Sequence, residues 1–268
     1  MSGPVGIFDS GFGGLSVVKK FFEHLPAESV LYFGDNGRAP YGSRTQQEIE
    51  GFVLQIGNFL VEQGAKALVI ACNTATAAAL PSLQAAVSVP VIGIIEPGSQ
   101  LAVATSRSGR IGVIATEFTI SSRCYHDTIQ QLKRDSCVFG QACPSFTPFV
   151  EQGRIDDEEV EAAAREYLSF VASNGIDTLV LGCTHFPHLQ GVIRRIIGPE
   201  TAIVDPAEAV VAVSRQILCQ LGSLAPQGGQ PQHRYYTSGD PEQFRRIGQQ
   251  LLGYPMAGVE HVPMTGNS

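Results

Sequence analysis

The sequence predicts an α/β fold: two similar domains, each on a mostly parallel sheet. Three observations carry this. Short apolar runs alternate with helical patterns along the chain. The runs are nearly unbroken in apolar residues, as in strands buried on both faces. Only 16% of residues are charged while 44% are apolar, which suits sheets covered by helices. The 268 residues suffice for about two domains of roughly 150 residues, with a core that needs no disulfide or metal staple.

In chain order, strands are expected over 5–8, 30–33, 67–71, 89–95, 110–115, 137–141, 178–182 and 201–204. Helices fill the intervals. The clearest places Ile49, Phe52, Val53, Ile56, Phe59 and Leu60 on one face, at spacings of three and four. Each strand–helix–strand crossover is expected to be right-handed. Segment 221–232 (LGSLAPQGGQPQ) has loop composition. A strand over 234–237, a helix over 241–252 and a last strand near 259–262 follow it.

The pattern repeats. Ala67-Leu68-Val69-Ile70-Ala71-Cys72-Asn73-Thr74 resembles Thr178-Leu179-Val180-Leu181-Gly182-Cys183-Thr184, at an offset of 111. Gly6-Ile7-Phe8-Asp9-Ser10 matches Gly112-Val113-Ile114-Ala115-Thr116 at an offset of 106. Two similar offsets suggest two like halves rather than a solenoid, whose period is shorter.

Composition excludes several classes. A net charge of −7 argues against binding nucleic acid through a general basic surface. No apolar stretch approaches the about 20 residues a membrane span needs. Residues 1–10 have no basic side chain and carry Asp9, unlike a secretory signal. A cytoplasmic protein with six reduced cysteines (Cys72, Cys124, Cys137, Cys143, Cys183, Cys219) is therefore expected. No C-x-x-C pair exists, and His185 with His188 has no second ligand pair, so no metal site is expected.

Cys72 and Cys183 each end an expected strand just before a helical stretch. Ligands of open α/β sheets bind beyond strand carboxyl ends. A sulfur at a helix N-terminus is favoured as thiolate by the macrodipole. Asp9 either caps the next helix or serves the site. Gly11-Phe12-Gly13-Gly14 lacks the last glycine of a dinucleotide loop, since Ser16 stands there. These glycines are expected to permit a tight strand-to-helix turn.

The motifs together resemble the glutamate racemase family. Phe8-Asp9-Ser10-Gly11-Phe12-Gly13-Gly14 is similar to its first motif. Gly34-Asp35-Asn36-Gly37-Arg38-Ala39-Pro40-Tyr41-Gly42 is similar to its substrate loop. Ala71-Cys72-Asn73-Thr74-Ala75 and Leu181-Gly182-Cys183-Thr184-His185-Phe186-Pro187 are similar to its two catalytic motifs. Ile95-Glu96-Pro97-Gly98, Pro148-Phe149-Val150-Glu151 and Tyr236-Thr237-Ser238-Gly239-Asp240 add supporting matches, so the likeness spans nearly the whole chain.

The resemblance implies two α/β domains facing each other across a central cleft, 1–97 with 207–268 and 98–206. It implies interconversion of L- and D-glutamate for peptidoglycan, with no cofactor, no pyridoxal phosphate and no metal. Cys72 and Cys183 would be the two acid/base groups, assisted by Asp9 and His185. Asp9, Ser10, Pro40, Tyr41, Gly42, Asn73, Thr74, Thr184 and His185 would bind substrate. The chain's lysines, Lys19, Lys20, Lys66 and Lys133, stand at no strand end suited to a Schiff base. The expected partner is a small amino acid, with neither nucleic acid nor membrane, and a homodimer is compatible with the resemblance. An aspartate or hydantoin racemase, or a non-catalytic amino-acid binder, is the alternative.

Overall fold

The computed structural model describes residues 3–264. Among the described residues, ten strands are interspersed with eleven α-helices. The strands are β1 (Val5–Asp9), β2 (Val30–Gly34), β3 (Ala67–Ile70), β4 (Val91–Gly93), β5 (Arg110–Ala115), β6 (Cys137–Ala142), β7 (Thr178–Gly182), β8 (Ala202–Val204), β9 (Arg234–Thr237) and β10 (Val259–His261). The helices are α1 (Leu15–His24), α2 (Gln46–Glu62), α3 (Asn73–Ala86), α4 (Ile95–Thr105), α5 (Glu117–Ser121), α6 (Cys124–Leu132), α7 (Phe146–Glu151), α8 (Glu158–Ser173), α9 (Gln190–Ile197), α10 (Pro206–Gln220) and α11 (Pro241–Leu252).

The chain falls into two compact units, one of residues up to Ile94 and from Val210 onward, the other Ile95–Ala209. The first crossing comes where β4 has ended and α4 begins, and the second falls inside α10.

The first unit holds a six-stranded sheet in the order β10-β9-β2-β1-β3-β4. Every pairing is parallel. β1, β2 and β3 are buried along their whole length, as their unbroken apolar composition requires. Helix α2 starts at a capping box, Thr45 with Glu48, which satisfies backbone donors the first turn leaves open. It buries Ile49, Phe52, Val53, Ile56 and Leu60. Phe59 is half-buried and meets Phe33 and Tyr236 edge-on, at 5.7 and 5.0 Å between ring centres.

The second unit holds a four-stranded parallel sheet in the order β6-β5-β7-β8. Its core gathers Ile114, Phe146, Leu168, Leu179, Leu181 and Phe186. β6 is the edge strand and is only partly buried.

The order β2-β1-β3-β4 of the first sheet recurs as β6-β5-β7-β8 in the second. Cys72 follows β3 and Cys183 follows β7, so the repeat seen in the sequence is a repeat of topology. Each sheet reverses its strand order at its first strand, which pairs with the second strand on one side and the third on the other. Such a switch point opens a crevice beyond the strand ends. Asp9 and Cys72 stand at one, Thr116 and Cys183 at the other.

One strand is shorter than its apolar run. The run over 89–95 forms a strand only at Val91–Gly93, and Ile95 already opens α4. Pro90 lacks an N–H for the ladder and offers only its carbonyl, to Leu68 N–H at 2.8 Å. Segment 221–232 is irregular, but it is tied down. Lys66 Nζ donates to Ser223 O at 2.7 Å, Ala225 N–H to Glu28 at 2.6 Å, and Gln232 N–H to Ser29 Oγ at 3.0 Å.

Candidate active site

In the first unit the site grows from the ends of β1, β2 and β3. Cys72 has extended backbone and is the N-cap of α3. Its Sγ accepts the Ala75 N–H at 3.4 Å. The sulfur thus takes one of the open donors of the first helical turn, which favours its anionic form. The Cys72 thiol also lies 3.7 Å from Ser10 Oγ, to which it can donate. Asn73 and Thr74, the first residues of α3, are buried beside it.

Asp9 is buried and does not cap α1. Its Oδ1 accepts the Gly11 N–H at 2.9 Å, closing the turn that carries Ser10, while the N-cap of α1 is Gly14, with no side-chain cap. The glycines of this turn are not there for their backbone freedom. None of Gly11, Gly13 and Gly14 takes a positive φ. Gly14 is needed for closeness: a Cβ there would stand 2.5 Å from Asp9 Cβ and 2.8 Å from the Tyr32 hydroxyl.

The loop after β2 carries Pro40, Tyr41 and Gly42, with a cis peptide at Ala39–Pro40. It is organised by Asp35, which is fully buried. Arg38 Nε donates to Asp35 at 2.8 Å, Ser238 Oγ donates at 2.5 Å, and the Tyr41 hydroxyl donates to the same carboxylate. Arg38 also lies over the Phe52 ring at 4.1 Å. Tyr41 is therefore buried with its hydroxyl occupied. Burial, then the Asp35 charge, hold that phenol well above its usual range, against the pull of Arg38. What Tyr41 and Gly42 can offer a ligand is their backbone.

In the second unit Cys183 follows β7 in a turn and does not cap a helix. A short 3-10 helix, Phe186–Leu189, comes next, with Pro187 in its first turn, before α9 starts at Gln190. Side chains surround the sulfur instead. Thr147 Oγ1 and His185 Nδ1 are each 3.7 Å from Cys183 Sγ. His185 is buried, and its Nε2 lies 3.4 Å from Glu151 Oε1. The imidazole thus has the sulfur near one ring nitrogen and the carboxylate near the other. Thr184 is buried next to Cys183. Tyr125 and Cys143 are buried neighbours. Burial raises the Tyr125 phenol, with Asp205 and Cys183 adding to it. Burial also raises the Cys143 thiol, with Cys183 adding to it, so Cys143 stays protonated.

Among the described residues no group of three His, Cys, Asp or Glu side chains could hold a metal ion. No helix among them is long and apolar enough to cross a membrane. Lys66 lies just before β3, at the end of the strand opposite Cys72, paired with Glu28.

The sequence reading did not single out Asp35, Ser238, Thr147, Glu151 or Tyr32 as site residues. Asp35, Glu151 and Ser238 stood inside quoted motifs, but nothing local linked Ser238 to Asp35, which is 203 residues away.

The family model of Asp/Glu/Hydantoin racemase matches residues 5–213. The chain belongs to this family. A glutamate racemase of Geobacter metallireducens is 45% identical over 260 residues, 97% of this chain and 96% of that protein. A glutamate racemase structure from Bacillus anthracis superposes with a TM-score of 0.94 at 39% identity, covering 98% of this chain and 99% of that one. Another, from Francisella tularensis in complex with D-glutamate, gives 0.91 at 35% identity, covering 97% of each chain. The chain is an amino-acid racemase with a small-molecule substrate.

Proposed function

We propose that this racemase interconverts L- and D-glutamate in the cytoplasm, without a cofactor, and supplies D-glutamate for peptidoglycan. In this reading Cys72 and Cys183 work on opposite faces of one α-carbon. One observation carries it: each unit puts a buried cysteine at the same topological position, the end of the third strand of a repeated sheet. The names of its relatives supply the substrate.

Racemisation removes the α-proton from one face and delivers a proton to the other. A single base returns the proton to the side it came from. Two thiol groups, one ionised and one protonated, avoid this, and their roles exchange with direction. Cys72 takes the proton of D-glutamate and Cys183 that of L-glutamate. Ala75 N–H supports the Cys72 sulfur as an anion. His185, with Nδ1 3.7 Å from Cys183 Sγ and Nε2 3.4 Å from Glu151, exchanges a proton with Cys183 in this reading. Asp9 faces the substrate ammonium, and Ser10, Asn73, Thr74, Thr184 and the Pro40–Gly42 backbone hold the ammonium and carboxylate. Charge developing on the α-carbon is offset by donors already fixed in place.

The test is chiral chromatography of the purified protein with L-glutamate or L-aspartate, no cofactor added. D-glutamate forms and D-aspartate does not. Cys72→Ser and Cys183→Ser each lose turnover by about 10²-fold or more. Near-normal turnover in either variant refutes the two-base scheme, and preferred turnover of aspartate refutes the substrate.

A further inference from the structure

Tyr32 is a buried titratable group that the reaction described above leaves unused. It is completely buried in β2, between the site and the ring of Phe244 at 6.1 Å. Its hydroxyl donates to the Gly11 carbonyl at 2.7 Å. The far end of the same segment also lies close to this oxygen, since a Cβ at Gly14 would stand 2.8 Å from it. One phenol therefore ties down the start of the Gly11–Gly14 segment and packs against its end. Gly11 in turn donates its N–H to Asp9, and Ser10, between them, faces Cys72 Sγ at 3.7 Å.

Burial, then the Asp9 and Cys72 charges, keep the phenol far above its usual range. It is therefore neutral throughout the working pH range and exchanges no proton with substrate. Its chemistry is that of a fixed donor. A hydroxyl at this spot is also why position 14 has no side chain, since a Cβ there would come within 2.8 Å of it. Leu31 and Phe33, its strand neighbours, meet the demand for apolar bulk without a polar atom. The phenol is thus the buried polar group of β2, and it is spent wholly on the Asp9–Gly14 turn.

We propose that Tyr32 is a positioning residue of the racemase, locking the turn that presents Asp9 and Ser10 to Cys72. The proposal rests on the reading of Cys72 as an acid/base group. It assigns Tyr32 no contact with substrate. The effect travels through one carbonyl and one turn, so it falls on Cys72 and not on Cys183.

Tyr32→Phe keeps the ring and its packing and deletes only the hydrogen bond to the Gly11 carbonyl. The variant folds, and its kcat falls about tenfold, the rate equivalent of one buried carbonyl left without its donor. Two further readouts separate positioning from a general loss of stability. Iodoacetamide labelling, followed by mass spectrometry at each cysteine, changes rate at Cys72 and leaves Cys183 as in the wild type. In a double-mutant cycle with Ser10→Ala, the Tyr32→Phe loss in kcat largely disappears, because the group it positions is gone. Unchanged kcat in Tyr32→Phe overturns the proposal. So does a loss that adds fully to that of Ser10→Ala, or labelling that changes equally at both cysteines. Cys72→Ser in the same assay reads the two-base scheme separately. If that variant keeps its turnover, the scheme fails, whatever Tyr32→Phe does to labelling.

Discussion

Gly14→Ala tests how tightly the first motif is built. The backbone at Gly14, φ −63° and ψ −10°, is one that alanine adopts without strain, so the whole effect is steric. The new Cβ would lie 2.5 Å from Asp9 Cβ, 2.8 Å from the Tyr32 hydroxyl and 3.1 Å from Ala71 Cβ. Carbon atoms prefer about 3.5–4.0 Å, so Asp9 must retreat by about 1 Å. None of these neighbours is the loose end of a long side chain. Overpacking of this kind costs about 1–3 kcal/mol, or a fall in Tm of roughly 2–10 °C. The catalytic cost is larger in proportion, since a 1 Å misplacement at a site can reduce turnover about 10²-fold. Circular dichroism of glutamate at saturating substrate gives kcat, and a thermal melt gives Tm. Gly191→Ala is the control: it lies in α9 with nothing within 4 Å of its Cβ position, and it leaves turnover unchanged. A Gly14→Ala variant with wild-type kcat and Tm would refute the claim that this glycine exists to admit Asp9 and Tyr32.

Lys66→Met leaves Glu28 buried without its cation, the pair having 3% and 2% exposed side chains at 2.6 Å. Stability falls by about 3–5 kcal/mol in urea denaturation, and adding Glu28→Leu recovers much of it. Ser238→Ala removes a donor to Asp35 and the acceptor of Gly37 N–H, loosening the Tyr41–Gly42 loop. KM for glutamate rises more than kcat falls, as steady-state kinetics can read. Asp177 gives a pH signature. Burial alone would raise its carboxyl, but Ser106, the Arg107 and Ser108 N–H groups and Thr178 hold it well below the carboxylate range. Its contribution is present above the unfolded value of about 3.9 and fades as pH falls below it. Asp177→Asn therefore lowers the urea midpoint at pH 7, and the gap to wild type narrows at pH 3.

The strands were legible because parallel strands buried on both faces leave unbroken apolar runs, and β1, β5, β7 and β9 end within a residue of where those runs do. Cys72 and Cys183 were legible because a repeated sheet repeats its motif. Local pattern failed where space decides. The glycines of the first motif read as turn makers, yet Gly14 is fixed by what approaches it. Cys183 read as a helix start, yet the helix is delayed by the 3-10 turn through Pro187, and side chains replace the helix end around its sulfur. Asp9 read as a possible cap, but its carboxylate turned inward to Gly11. Asp35 with Ser238, and Tyr32 with Gly11, are joined only by the order of strands β9-β2-β1. No periodicity reports contacts of that kind.

The central claim is that two sulfurs, not one, handle the α-proton. Unlabelled L-glutamate is turned over in D₂O, and both enantiomers are recovered at low conversion for mass spectrometry. A thiol carries a single proton, so while L-glutamate stays bound the group that took its hydrogen has that hydrogen to return, exchange through His185 following product release, while its opposite number delivers deuterium. The D-glutamate formed is then deuterated at the α-carbon and the remaining L-glutamate is not. Deuterium appearing equally in both enantiomers, or D-glutamate formed without it, contradicts the account.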